Sequence, residues 1–205
     1  MAFKVRQSKF RHLFGELPRE TYNDIKCSRK ATEGAGIEGN EKRLALPWDA
    51  ARQVLVLENS KHGRVEHSAP KLNNTAPVLD FKFSPFSAEQ LTTGGEDGTV
   101  RVFEIPEDGL TKTEDPSAEL TGHLKPVVCL DYHPCVEGLM ATASKDQTVR
   151  IWDLEEQSEM AKFDMPEEVT NVQSLQWRYD ESLLGLACKD KISRIFDPRQ
   201  ASAVL

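Results

Sequence analysis

Histidine and cysteine are the side chains best suited to proton transfer, nucleophilic attack or metal binding, and the chain holds five of the first and four of the second. His123 follows Gly122 and is the most tempting catalyst in the chain. His133 precedes Pro134 in a strand-ending turn, and His62 and His67 flank a hairpin. None of these belongs to a recognisable nucleophile or metal set. The four cysteines are Cys27, Cys129, Cys135 and Cys188; none forms a Cys-x-x-Cys pair, and no histidine stands at ligand spacing beside two of them, which argues against zinc. Gly94-Gly95 is followed by neither a helix nor a Lys-Ser/Thr pair, so it reads as a turn and not a phosphate loop. No catalytic residue, metal or cofactor is expected.

The elements that would position these residues repeat. Glu96-Asp-Gly-Thr-Val-Arg-Val-Phe-Glu104, Lys145-Asp-Gln-Thr-Val-Arg-Ile-Trp-Asp153 and Lys189-Asp-Lys-Ile-Ser-Arg-Ile-Phe-Asp197 each open with an Asp turn and continue as an alternating strand carrying Arg outward. Each closes on an aromatic-acid pair. Asp97 to Asp146 is 49 residues and Asp146 to Asp190 is 44. Self-similarity near 40–45 residues with a closing Trp-Asp is the mark of a WD-type propeller blade. Strands are expected at Val78–Phe83, Gln90–Gly95 and Thr99–Ile105, at Val127–Tyr132, Gly138–Ser144, Thr148–Asp153 and Met160–Phe163, and at Val172–Trp177, Leu183–Cys188, Ile192–Asp197 and Ser202–Leu205. A degenerate blade precedes them, with strands at Arg43–Leu46, Gln53–Leu57 and Arg64–His67. Cys129, Cys135 and Cys188 fall in or near these strands and are expected as small core residues. The fold class is therefore all-β, an incomplete WD propeller of about four blades. The segments are 1–30 (basic arm with a ring-closing strand), 31–70 (degenerate blade), 71–117, 118–165 and 166–205.

In WD blades a His, a strand Ser or Thr, the turn Asp and the closing Trp can form one buried hydrogen-bonded chain. A hydrogen bond to a charged group is worth about 1.5–3 kcal/mol net, and a buried unpaired Asp costs at least as much. Only the Leu120–Asp153 stretch has every part: His123, Thr142 or Ser144, Asp146 and Trp152. This gives His123 a structural role. Elsewhere Asn73-Asn74 replaces Gly-His, and Phe103 and Phe196 replace Trp. Phe cannot donate, so those two blades are expected to rest more on packing.

Charge is uneven. Residues 1–30 carry eight Lys/Arg against three acids, net +5, and the remainder carries net −12. This pattern suits an acidic partner met by the N-terminus, or a solvated leader. An acidic body without an aromatic-basic platform argues against nucleic acid. No run approaches the roughly 18 apolar residues of a membrane span, no secretory leader is visible, and a cytoplasmic protein is expected.

Val5-Arg-Gln-Ser-Lys-Phe-Arg-His-Leu-Phe-Gly15, Tyr22-Asn-Asp-Ile25 and Ser28-Arg29 resemble the opening of the coronins. So do Leu55-Val-Leu-Glu-Asn-Ser-Lys-His-Gly-Arg-Val65 leading to Ala76-Pro-Val-Leu-Asp80, Ile105-Pro-Glu-Asp-Gly-Leu110, Ala187-Cys-Lys-Asp-Lys191 and Arg194-Ile-Phe-Asp-Pro-Arg199. The likeness implies a non-catalytic cytoskeletal protein that binds filamentous actin, with other cytoskeletal proteins as further partners, and a seven-bladed propeller. It places a basic actin contact directly after the Asp-Ile pair, which is Lys26 here. Arg29 and Lys30 would extend that patch. Lys9 and Arg11 would either join it or protect the edge of a closing strand. Arginine is common at the position of Lys26; lysine keeps the charge but loses the bidentate fork.

The resemblance also implies that the chain is the front part of a longer propeller, ending at a blade boundary. Ser8–Leu13 would then lack its partner strand, and poor solubility of residues 1–205 alone is expected. The family regions for the branched-actin nucleator and for oligomerisation would lie outside this chain. The alternative reading is a general WD scaffold that captures peptide segments of partner proteins.

Overall fold

Period-two alternation of Val, Leu, Thr and aromatic residues gives strands that bury one or both faces, and in the described residues every regular element is a strand. A computed structural model describes residues 20–28, 34, 36–49, 51–166, 171–179 and 183–199. After β1 (Tyr22–Asn23) come β2 (Glu38–Gly39), β3 (Arg43–Trp48), β4 (Gln53–Glu58), β5 (Gly63–Arg64) and β6 (Lys71–Asn73). Then follow β7 (Val78–Phe83), β8 (Gln90–Gly95), β9 (Val100–Glu104) and β10 (Ala118–Leu120), and next β11 (Val127–Tyr132), β12 (Leu139–Ser144), β13 (Thr148–Asp153) and β14 (Ser158–Asp164). The last are β15 (Val172–Trp177), β16 (Leu184–Cys188) and β17 (Ser193–Phe196).

They form four antiparallel meanders, β2-β3-β4-β6, β7-β8-β9-β10, β11-β12-β13-β14 and β15-β16-β17, which are blades of a partial β-propeller. The innermost strands β7, β11 and β15 each carry a register shift at the same place, after Val78, Val127 and Val172. Such bulges increase the local twist. Apolar side chains fill the spaces between neighbouring sheets. Leu72, Phe81, Leu91 and Phe103 pack in one cluster, Val102, Leu130, Met140 and Trp152 in a second, and Phe163, Leu175, Trp177 and Phe196 in a third. Burying one such side chain stabilises the fold by about 1.5–3 kcal/mol.

Three expectations change. Arg64–His67 does not form the third strand of the first sheet. Gly63–Arg64 instead pairs in parallel with Tyr22–Asn23, through Gly63 N–H to the Thr21 carbonyl and Val65 N–H to the Asn23 carbonyl, both 2.9 Å. Val65 is thereby buried among Trp48, Leu55 and Tyr22, and Lys71–Asn73 takes the place beside β4. Second, the outermost strands come late. Lys71–Asn73 and Ala118–Leu120 complete sheets whose other strands lie before residues 70 and 117, because each outer strand leads directly into the next blade. Third, Cys129 and Cys188 are buried but Cys135 is exposed. It sits in a turn where His133 Nδ1 accepts from the Cys135 and Val136 amides, at 3.2 and 2.9 Å. The expected strands at Ser8–Leu13 and Ser202–Leu205 lie outside the described residues.

Candidate functional site

Both ring nitrogens of His123 are engaged by its neighbours, as the structural role expected for it requires. Nε2 lies 2.7 Å from Thr142 Oγ1 and Nδ1 lies 3.0 Å from Asp146 Oδ2. Trp152 Nε1 donates to the same Thr142 oxygen at 2.8 Å. The chain Asp146–His123–Thr142–Trp152 thus runs from the β12–β13 turn into the interior of the blade. Gly122 leaves room for this geometry. A Cβ there would stand 3.0 Å from the tip of the Trp152 ring and 2.7 Å from Arg150 Nη1. Ser144 is not part of the chain. Its Oγ donates to the Lys125 carbonyl at 2.8 Å and accepts from Asp146 N–H at 3.1 Å, fixing the turn instead.

Burial alone would raise the Asp146 pKa, but donation from Thr148 Oγ1, Leu124 N–H and His123 overcomes it and holds the carboxyl at about 2. Burial pushes His123 below its ordinary value, against the pull of Asp146. A neutral, doubly engaged imidazole has no free nitrogen for a substrate.

In the neighbouring blades the expectation of reliance on packing is only half right, and the strand Arg does not point outward. Arg101 is 3% exposed and Arg194 is 7% exposed. Arg101 Nη2 donates to Asp97 Oδ2 at 2.6 Å and Nε to Glu119 at 2.8 Å, while Arg194 Nη2 reaches Asp190 at 2.7 Å. Where Trp and His are missing, Arg folds back over the Phe-closed strand and holds the turn Asp. Asn74 stands in for histidine, accepting from Thr93 Oγ1 at 2.8 Å. Gly98, at φ 81°, lets the first of these turns approach the His123 carbonyl, where a Cβ would come within 2.7 Å.

Sequence reasoning missed the polar ties between blades. Asp80 accepts from Leu130 N–H at 2.9 Å, and Asp131 accepts from Trp177 N–H at 2.8 Å and is paired with Lys82. Arg43, 1% exposed, donates from the first sheet to the carbonyls of Ala88 (2.8 Å), Pro106 (2.6 Å) and Glu107 (2.9 Å) in the loops that flank β8 and β9. The one available signal was an acid or base inside an otherwise apolar strand, as in Val127-Val-Cys-Leu-Asp-Tyr132.

Of the basic patch, Lys26 is described; Lys9, Arg11, Arg29 and Lys30 lie outside the described residues. The backbone of Lys26 is fixed, its carbonyl accepting from Asp49 N–H at 2.8 Å beside the Cys27–Trp48 bridge. Its side chain is exposed and lines a groove with Ile25, Trp48, Arg64 and His67. Among the described residues Lys26 makes no ion pair, whereas its neighbour Arg64 is paired with Asp24 at 2.7 Å.

Comparison with known proteins agrees with this architecture. Residues 68–104 and 114–153 match the family model "WD domain, G-beta repeat", and residues 3–64 match "Domain of unknown function (DUF1899)". The chain is 35% identical over 201 residues to Coronin-7 of Rattus norvegicus and 36% identical over 199 residues to that of Bos taurus, covering 95% and 94% of this chain. A crystal structure of the WD40 domain from Toxoplasma gondii coronin superposes with a TM-score of 0.85 at 34% identity, covering 93% of this chain and 49% of that one. The chain belongs to the coronin family of WD-repeat proteins. It spans 22% of the length of those two curated relatives. Within this coronin-family propeller the His123 network ties the β12–β13 turn to the blade interior.

Proposed function

We propose that this coronin-family chain is a non-catalytic, cytoplasmic regulator of the actin cytoskeleton that binds filamentous actin through a basic N-terminal face. Lys26 is its described centre, with Arg29, Lys30, Lys9 and Arg11 as the surrounding cations. The observation that carries this reading is an exposed Lys26 with no ion pair among the described residues, on a segment of net charge +5 ahead of a body of net −12. A cation left unpaired at a rim contributes to encounter rate and orientation more than to stability. The acidic body favours meeting an acidic filament with the N-terminal side only.

Charge reversal tests the reading. Lys26→Glu should move the protein from the pellet to the supernatant in co-sedimentation with actin filaments while its far-ultraviolet circular dichroism stays unchanged. Equal pelleting of variant and wild type would remove Lys26 from the site.

A further inference from the structure

Beside the Lys26 groove lies a second one of about 440 Å³, formed by the β3–β4 turn of the first sheet and the residues flanking β6. Trp48, Arg52, His67, Lys71 and Asn74 line it, with Asp49 as the single acid among its lining residues. Trp48 and His67 line both grooves, their rings 5.8 Å apart. Two buried donors here are under-used. Asn74 is 3% exposed; its Oδ1 accepts from Thr93, and its buried Nδ2 has no hydrogen-bond partner. A buried amide without an acceptor is costly and calls for an explanation. Lys71 is 6% exposed, its Nζ donating to the His67 and Ala69 carbonyls at 2.8 and 2.6 Å and lying 4.9 Å from the centre of the Trp48 ring. An ammonium has three donors, and among the described residues no carboxylate lies within ion-pair reach of this one. Burial pushes its pKa down, with no anion opposing the shift.

We propose that this groove is a carboxylate-binding pocket, in which Lys71 Nζ and Asn74 Nδ2 receive an acidic side chain of a partner protein, with Arg52 at the rim. A carboxylate has two oxygens and accepts from both donors at once. The charge balance of the lining, Lys71 and Arg52 against Asp49 alone, favours an anion. The adjoining groove at Lys26 would hold a neighbouring acid of the same segment. This deepens the filament-binding reading by naming the chemistry recognised, and rests on that reading only for the identity of the partner.

The test uses the full chain and a rhodamine-labelled hexaglutamate peptide followed by fluorescence anisotropy. Asn74→Asp keeps the acceptor for Thr93 and removes the free donor; Lys71→Met keeps the stem over Trp48 and removes the ammonium. Each should weaken peptide binding about tenfold or more, the scale of a lost charge-assisted hydrogen bond. Inorganic phosphate at equal concentration should not displace the peptide. Failure of the wild type to bind, wild-type affinity in Asn74→Asp, or displacement by phosphate each overturns the pocket. If Lys71→Met does not fold, Asn74→Asp decides. Co-sedimentation of the same proteins separates the two claims. Filament binding lost in Lys26→Glu with peptide binding untouched by Asn74→Asp sinks the pocket alone. A wild type that binds hexaglutamate through Asn74 but ignores filaments sinks the filament reading alone.

Discussion

Asp146 and His123 show how one blade converts titratable groups into structure. The folded pKa of Asp146, about 2, lies below its ordinary value of 3.8, so the carboxylate contributes stability that is present above pH 4 and lost as pH falls toward 2. The gap corresponds to about 2 kcal/mol. His123 is also depressed, so the unfolded chain takes up its proton first, and stability should begin to fall as pH drops below 6.5. Urea unfolding across pH 7.5 to 3 should therefore show an early loss just below pH 6.5 and a second below pH 4. His123→Asn, which copies the residue at position 74, should abolish the early loss and leave the later one. Trp152→Phe, which copies positions 103 and 196, removes only the donor to Thr142 and should cost about 1–2 kcal/mol in the same measurement. No change would mean that the indole N–H is spectator to blade stability.

At the scale of elements, blades are held to one another by polar side chains as well as by the apolar layers. Arg43→Met would remove three charge-assisted bonds from the first sheet to the loops that flank β8 and β9 and leave the Ala88, Pro106 and Glu107 carbonyls without them. A loss of about 3 kcal/mol is expected by urea denaturation, with faster amide exchange in β3 and β8 than in β12. A loss confined to a few tenths would show that packing alone joins these sheets. Strand positions were legible in the sequence because β-branched alternation and Asp-Gly or Asp-Gln turns are local signals: Val78–Phe83, Val127–Tyr132, Thr148–Asp153 and Val172–Trp177 were read with the bounds observed. The inward turn of Arg101 and Arg194 was not legible. Period two assigns a face but not the direction of a long flexible side chain, and burial of Arg depends on Asp97, Glu119 and Asp190 meeting it. Gly63–Arg64 was misread for a similar reason, since its partner Tyr22–Asn23 lies far away in sequence.

At the scale of the molecule, four sheets form a scaffold that follows an N-terminal segment of net charge +5. The scaffold was visible from the spacing of three Asp turns, whereas the site was visible only in part. Lys26 could be singled out by charge and resemblance, but the groove at Lys71 and Asn74 forms where the β3–β4 turn meets the residues flanking β6, and it has no linear motif. Lysine at position 26 offers a point charge where arginine would offer a fork, so Lys26→Arg should bind filaments more tightly, by about two- to threefold in co-sedimentation. An equal or weaker affinity would argue that a single-point contact is made there. The central claim, that the basic N-terminal face meets filamentous actin electrostatically, is tested most directly by filament affinity as a function of salt for wild type and Lys26→Glu. Wild-type affinity should fall as salt rises, and the variant should bind about tenfold more weakly at low salt with a flatter dependence. Superimposable curves for the two proteins would contradict it.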